Sequence, residues 1–316
     1  MTRSTDDQEK RLTELKKEVP KRGLDRYASR LKNISELPIE LQSTAVTALA
    51  ARETIQTILV FPLHIQRGWH YVPKQALLFT ASGMAHLLAS IWPGEEPRVT
   101  SLKGSTLMYM KVTLILLYGF LEILAQGESE PVLLSVEFNT VDWYRISSPL
   151  QCFLEMAKTT ANMPAPPANG NSAAAQRAFE ELPVKFSNGL EIYGVLPGEE
   201  LEEFVFQPST SKRWLYFFQR PVSANTLLAL TSHYMVVIEE ELNVKQGWVI
   251  SYIPRNNILG IQSQLCDLWN ELAVQLKRED QSIVYKLTLK NEAVDAWRRA
   301  WVQQGGAWEE LPVQQA

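Results

Sequence analysis

Two short segments of this chain gather cations and aromatic side chains at spacings that suit contact with an anionic ligand or a partner surface. The first is His64-Ile-Gln-Arg67-Gly-Trp69-His70, with Lys74 close behind. The second is Ser209-Thr-Ser-Lys212-Arg213-Trp214, with Arg220 following. Arg and Lys hold phosphate or carboxylate oxygens through charge-assisted hydrogen bonds, and a tryptophan beside them can anchor a contact. Trp69 and Trp214 are equally suited to packing inward. Arg67, Trp69, Lys74, Lys212, Arg213, Trp214 and Arg220 are the candidate ligand or partner contacts.

The other reactive residue types form no recognisable centre. The sequence holds no phosphate-cradling G-x-x-x-x-G-K-[ST] or G-x-G-x-x-G motif, no G-x-S-x-G elbow and no H-E-x-x-H. His64 and His70 lie close together, but no Asp, Glu or Cys stands at ligand spacing from them. His86 and His233 are isolated, so no metal is expected. Cys152 falls on the apolar side of a helix and Cys266 in a strand, which reads as small buried residues rather than nucleophiles. Two thiols build neither a disulfide framework nor a four-thiolate zinc site. The acidic runs Glu199-Glu200 with Glu202-Glu203, and Glu239-Glu-Glu241, lack the fixed oxygen spacing of a cation loop and read as solvated turns. The expectation is a non-enzymatic protein with no cofactor.

The elements that must carry the two cationic loops follow from patterning. The chain has 316 residues, with 46% hydrophobic and 21% charged, the composition of an ordinary globular protein of about two domains. A net charge of −4 argues against nucleic-acid partners. The longest apolar run, Val112 to Ala125, contains Glu122 and falls short of the roughly 18 residues a bilayer span needs, so it reads as one or two buried strands. No apolar leader opens the chain, and a cytoplasmic protein is expected, with peripheral membrane association left open. Residues 1–36 hold ten Lys/Arg against seven Asp/Glu and form a charged arm, marginally helical or disordered. That arm is either a solvated tail or a docking arm for a membrane surface or partner. Residues 158–182, with three prolines and an Ala run, read as a flexible linker with a short helix. They separate residues 37–157 from 183–316.

The two halves repeat one pattern. Ile55 to Pro62 matches Leu201 to Pro208, Trp69 matches Trp214, and Ala76 to Thr80 matches Thr226 to Thr231. Met84 matches Met235, and the strand Leu133 to Phe138 matches Ile283 to Leu289. Each half closes with a helix. The first is expected to start at Ser148-Pro149 with the face Leu150, Phe153, Leu154 and Ala157. The second runs from Glu292 to Gln304 with the face Val294, Trp297 and Trp301, and ends at Gly305-Gly306.

Strands followed by one closing helix resemble the pleckstrin-homology-like domain in its bacterial or GRAM-type form. The resemblance is carried by Leu196-Pro-Gly-Glu-Glu200 leading into Leu201 to Phe206, and by Leu227-Leu-Ala-Leu-Thr231 before a turn. In the first half Ala50-Ala-Arg-Glu53 replaces the Pro-Gly-Glu turn. The resemblance implies an α+β chain of two small barrels, each closed at its mouth by the C-terminal helix. It also implies a binding or scaffolding module, acting on a protein partner or a second copy. The alternative it carries is peripheral binding of anionic lipid headgroups by the loop after the first strand.

Overall fold

The computed structural model describes residues 5–18, 27–49, 53–65, 71–92, 94–128, 130–158, 179–214, 218–241, 244–266, 269–276 and 283–311. Its helices are α1 (Thr5–Glu18), α2 (Ile39–Ala48), α3 (Trp143–Lys158), α4 (Val184–Gly189) and α5 (Asn291–Gln303). The strands of the first half are β1 (Ser29–Leu31), β2 (Ile55–Phe61), β3 (His64–Ile65), β4 (Tyr71–Val72) and β5 (Gln75–Thr80). They continue with β6 (Gly83–Leu88), β7 (Arg98–Lys103), β8 (Leu107–Ile115), β9 (Tyr118–Ala125) and β10 (Val132–Phe138). Those of the second half are β11 (Leu201–Gln207), β12 (Thr210–Trp214), β13 (Phe218–Ser223), β14 (Thr226–Thr231) and β15 (Tyr234–Glu241). After them come β16 (Val244–Pro254), β17 (Ile258–Cys266), β18 (Trp269–Leu276), β19 (Ile283–Leu289) and β20 (Trp308–Leu311).

The chain divides into two compact units. One holds residues 1–106, 117–119 and 127–159; the other holds 107–116, 120–126 and 160–316. Most of β8 and β9 therefore belongs with the second half of the sequence.

In the first unit a sheet runs in the order β1-β2-β5-β6-β7. Its central strands are buried on both faces, which is why their sequence reads as continuous apolar runs rather than alternation. Leu41 and Ala45 of α2 pack on Ile58 and Val60 of β2, Leu78 of β5 and Leu87 of β6. Asp142 fixes the entry to α3: its carboxylate accepts the Ala28 N–H at 2.8 Å and pairs with Arg145 at 3.1 Å. The helix starts at Trp143, ahead of the expected Ser148, so Pro149 lies inside it, buried with Ile146, Leu150, Phe153, Leu154 and Ala157. Cys152, expected to be buried, is exposed.

In the second unit the largest sheet runs β9-β8-β16-β15-β14-β11, and a separate sheet runs β19-β18-β17-β20. The core between them includes Leu228, Leu230, Met235, Val237, Ile253, Leu272, Val274 and Leu276, with Trp297 and Trp301 of α5. Gly305, at φ +80°, ends α5, and a Cβ on Gly306 would sit 2.1 Å from the Trp301 indole, so both glycines are required by the turn.

The expected pair of closed barrels is not what forms. The sheets are open, with none closed into a barrel. The reason lies in two strands that would have had to close them. β7 ends its sheet as an exposed edge. β16 pairs instead with β8, Tyr252 to Gly247 standing against Met110 to Ile115. The closing helix α5 accordingly packs along β11 and β18 rather than plugging a mouth.

The repeat itself is present in the element order. From Gln75 and Thr226 the halves match in one register without insertion. β5 matches β14, β8 matches β17, β9 matches β18 and β10 matches β19, with coincident ends. The shared Thr explains one turn. The Thr80 hydroxyl accepts the Gly83 N–H at 3.2 Å and donates to its carbonyl at 3.3 Å. The Thr231 hydroxyl likewise accepts the Tyr234 N–H at 3.2 Å, its proton going to Glu199 at 2.7 Å. A carboxylate two residues before the first strand bonds each turn: Glu53 accepts from Ser82, and the buried Glu199 accepts from Thr231 and His233.

Candidate functional site

The second cationic segment forms the β12–β13 hairpin, whose base is fixed by buried polar contacts. Gln207, the last residue of β11, is buried. It donates to the Ser223 hydroxyl at 3.1 Å and to the Thr288 carbonyl at 3.4 Å, and it accepts the Lys290 N–H. One glutamine thus joins the hairpin, β19 and the residue that precedes α5. The Thr210 and Ser223 hydroxyls bond each other at 2.6 Å, and Asn225 accepts the Ser209 N–H at 2.6 Å while donating to Glu240. Buried polar groups held this fully cost little and specify one geometry.

Beside this base lies an open cleft of about 450 Å³. Ser209, Thr210 and Ser211 line one wall, Val222 and Trp269 supply apolar surface, and Lys290, Asn291 and Glu292 form the end at the start of α5. Hydroxyls, one indole and the Lys290 cation, set beside the Glu292 carboxylate at a helix N-terminus, suit a polar ligand. Asn291 is held in place by Asn270, which donates to it at 2.8 Å. In the hairpin register Lys212 stands opposite Arg220, and Trp214 stands opposite Phe218. Backbone alternation gives these four positions one face of the ribbon. Arg213 stands opposite Gln219 on the other.

The first segment is built differently. β3 and β4 are two residues each, and Arg67 and Trp69 lie outside the described residues. Lys74 pairs with Glu40 of α2 at 2.8 Å, with both side chains partly exposed. His64 faces Glu137 at 3.6 Å. The structure therefore brings Lys212, Arg213, Trp214 and Arg220 into one hairpin and leaves Lys74 engaged elsewhere.

Three groups were not singled out by sequence reasoning. The first is the cleft end at Trp269 and Lys290 to Glu292, distant in sequence from the hairpin. Its only sequence signal is the start of a helix after an alternating strand. The second is a polar cluster in the second unit. Tyr109 donates to Glu122 at 2.6 Å and meets the Tyr285 ring edge-on at 5.8 Å, and Tyr285 donates to Ser251 at 2.8 Å. Burial, aided by nearby Glu239, pushes the Tyr285 hydroxyl well above its ordinary range. Burial likewise raises Glu239, so it is no solvated turn residue. The third is an ion pair, Arg255 to Glu202 at 2.7 Å, beside the Glu199–His233 contact at 2.9 Å; Glu199 and Glu202, expected as solvated turn residues, are instead withdrawn from solvent and bonded.

Among the described residues no cluster of His, Cys, Asp and Glu could hold a metal ion, and no helix is long and apolar enough to cross a membrane. No protein-family model matches the chain, and no curated protein matches it.

Proposed function

We propose that the chain is a non-enzymatic binding module that holds a protein partner at the β12–β13 hairpin and the cleft at its base. The observation that carries this reading is the cleft. A polar hairpin base, bonded through Gln207 to the start of α5, presents hydroxyls, Trp269 and Lys290 along one cleft. An acidic segment of a partner fits, its carboxylates meeting Lys290 and the hairpin cations and its apolar side chains meeting Val222 and Trp269.

A second reading is favoured by the register alone. Two cationic positions, Lys212 and Arg220, face each other, an arrangement that gains from an anion between them. A lipid headgroup supplies one.

The triple substitution of Lys212, Arg213 and Arg220 by Glu separates the two, with thermal melting as the check on folding. Co-purification of cellular partners and flotation with phosphatidylserine vesicles are compared with the parent. Loss of a protein partner with vesicle behaviour unchanged supports the first reading. Loss of vesicle binding alone supports the second. Both assays unchanged on a folded variant overturn the hairpin as a contact surface.

A further inference from the structure

β7 and β16 hold the same place in the two halves, yet only β7 has an open edge. β16 lies between β15 and β8. β7 pairs with β6 alone among the described residues, and Arg98, Val99, Ser101 and Lys103 are exposed. Such an edge offers its N–H and C=O groups to another strand. The match of β8 in the second half is β17, and the shared register carries Met110 to Thr113 onto Ile261 to Gln264. Those residues are covered by β20, which runs parallel to β17 with Ile261 opposite Trp308 and Gln264 opposite Leu311. The stretch of β8 that binds β16 is therefore, in β17, the stretch occupied by the terminal strand.

We propose that β20 is an edge cap, and that its displacement opens β17 to β7 of a second copy of the chain, in the antiparallel register that β8 and β16 use. Transferred residue by residue, that register sets Ser101 against Ile261, Thr100 against Gln262 and Arg98 against Gln264. Pro97, without an N–H, ends the pairing. β7 and β17 are different surfaces, so the contact is heterologous and builds rings or open chains, which is the outcome a cap prevents. β20 is suited to leaving. It is short, its pairing is parallel, the weaker kind, its polar side-chain ties are exposed, Gln262 to Glu309 at 2.6 Å and Arg298 to Glu310, and its apolar hold on the core is the partly buried Trp308. This inference rests on sheet edges and is independent of the hairpin.

The test is sedimentation velocity on the full chain carrying Glu310→Pro, which interrupts β20, followed by cysteine cross-linking in that background. Cys152 and Cys266 are first replaced by Ser, and Thr100→Cys is combined with Gln262→Cys or, as the out-of-register control, with exposed Leu259→Cys. The expected result is a mass at least twice that of the parent, with intermolecular cross-links at Thr100–Gln262 and few at Thr100–Leu259 or with Glu310 intact. An unchanged mass on a folded variant overturns the proposal, and so do equal cross-link yields at both pairs, which mean unspecific association. If circular dichroism shows that Glu310→Pro fails to fold, Trp308→Ala, which removes the apolar anchor of β20, is judged by the same two readouts.

Discussion

The turn between β5 and β6 and its counterpart between β14 and β15 are built alike, but the residue that packs beneath them is not. Gly104 and Arg255 occupy the same position: the Gly104 N–H donates to the Ser82 carbonyl at 3.0 Å, and the Arg255 N–H donates to the His233 carbonyl at 2.9 Å. In the first unit the glycine admits α3, and a Cβ there would lie 2.5 Å from the Met156 Cβ. In the second the arginine is buried, donating to Glu202 at 2.7 Å and to the Thr231 carbonyl at 2.8 Å. The backbone route is common, while the means of filling the space beneath it differs. Features set by backbone hydrogen bonds thus persist between the halves, while the side chains that fill the space around them differ.

The largest effect should come from breaking that difference. Arg255→Gly, which imposes the first unit's residue on the second, leaves Glu202 buried without its counter-charge and should cost about 3–5 kcal/mol. Replacing both partners, Arg255→Met with Glu202→Gln, should recover most of the loss, because no uncompensated charge remains. Urea denaturation midpoints measure both. In the other direction Gly104→Ala should cost about 1–3 kcal/mol, since α3 must shift to admit a methyl group. Equal, small losses at Arg255 and Gly104 would mean that the two positions are merely surface turns.

A second contrast sharpens the comparison through pH. His86 of β6 is buried and bonded to Gln75 at 2.9 Å, where the second half has Val237 and Thr226. Burial lowers the His86 pKa to about 4. The unfolded chain, with an ordinary pKa near 6.5, then binds a proton that the folded chain refuses between those values. Stability is full above about pH 6.5 and falls as pH drops toward 4, by about 3 kcal/mol at the lower end. Carrying the second half's residues into the first, Gln75→Thr with His86→Val, should flatten that part of the profile. Melting temperatures of parent and variant from pH 7 to 4.5 give the difference directly, and parallel profiles would remove His86 as its cause.

Periodicity and punctuation made part of this molecule legible. Val112 to Ala125 reads as buried strands because Glu122 and its length exclude a span, and it forms β8 and β9. Trp297 and Trp301 fall at helical spacing and are buried on α5. The matched Thr80 and Thr231 mark the same turn. Long-range pairing was not legible, because nothing local in β8 specifies whether its edge meets its own half or Gly247 to Tyr252. That choice is what leaves the sheets open. The start of α3 was misplaced because Ser148-Pro149 has the form of a helix start, while the true entry depends on Asp142 holding Ala28, a contact far along the chain. Of the candidate site, the hairpin residues were visible as a cationic run. Trp269 and Lys290 were not, since only the fold brings them to Thr210.

The smallest expected effect concerns the turn joining β8 to β9. Leu116 has φ +49°, the only positive value among the described non-glycine residues, and both it and Leu117 are largely exposed. A left-handed conformation costs a leucine about 1–2 kcal/mol, whereas Asn and Asp adopt it readily because their short side chains bond the local backbone. In the matching register the second half has Asp267, the residue type such a turn favours. Leu116→Asn should therefore stabilise the chain by about 0.5–1 kcal/mol, seen as a higher urea midpoint with an unchanged slope. Leu116→Gly should gain less, since glycine also loosens the unfolded chain. A gain from Gly equal to or above that from Asn would point to crowding by the leucine side chain. Loss of stability with both would show that the exposed leucine contributes packing that outweighs its backbone strain.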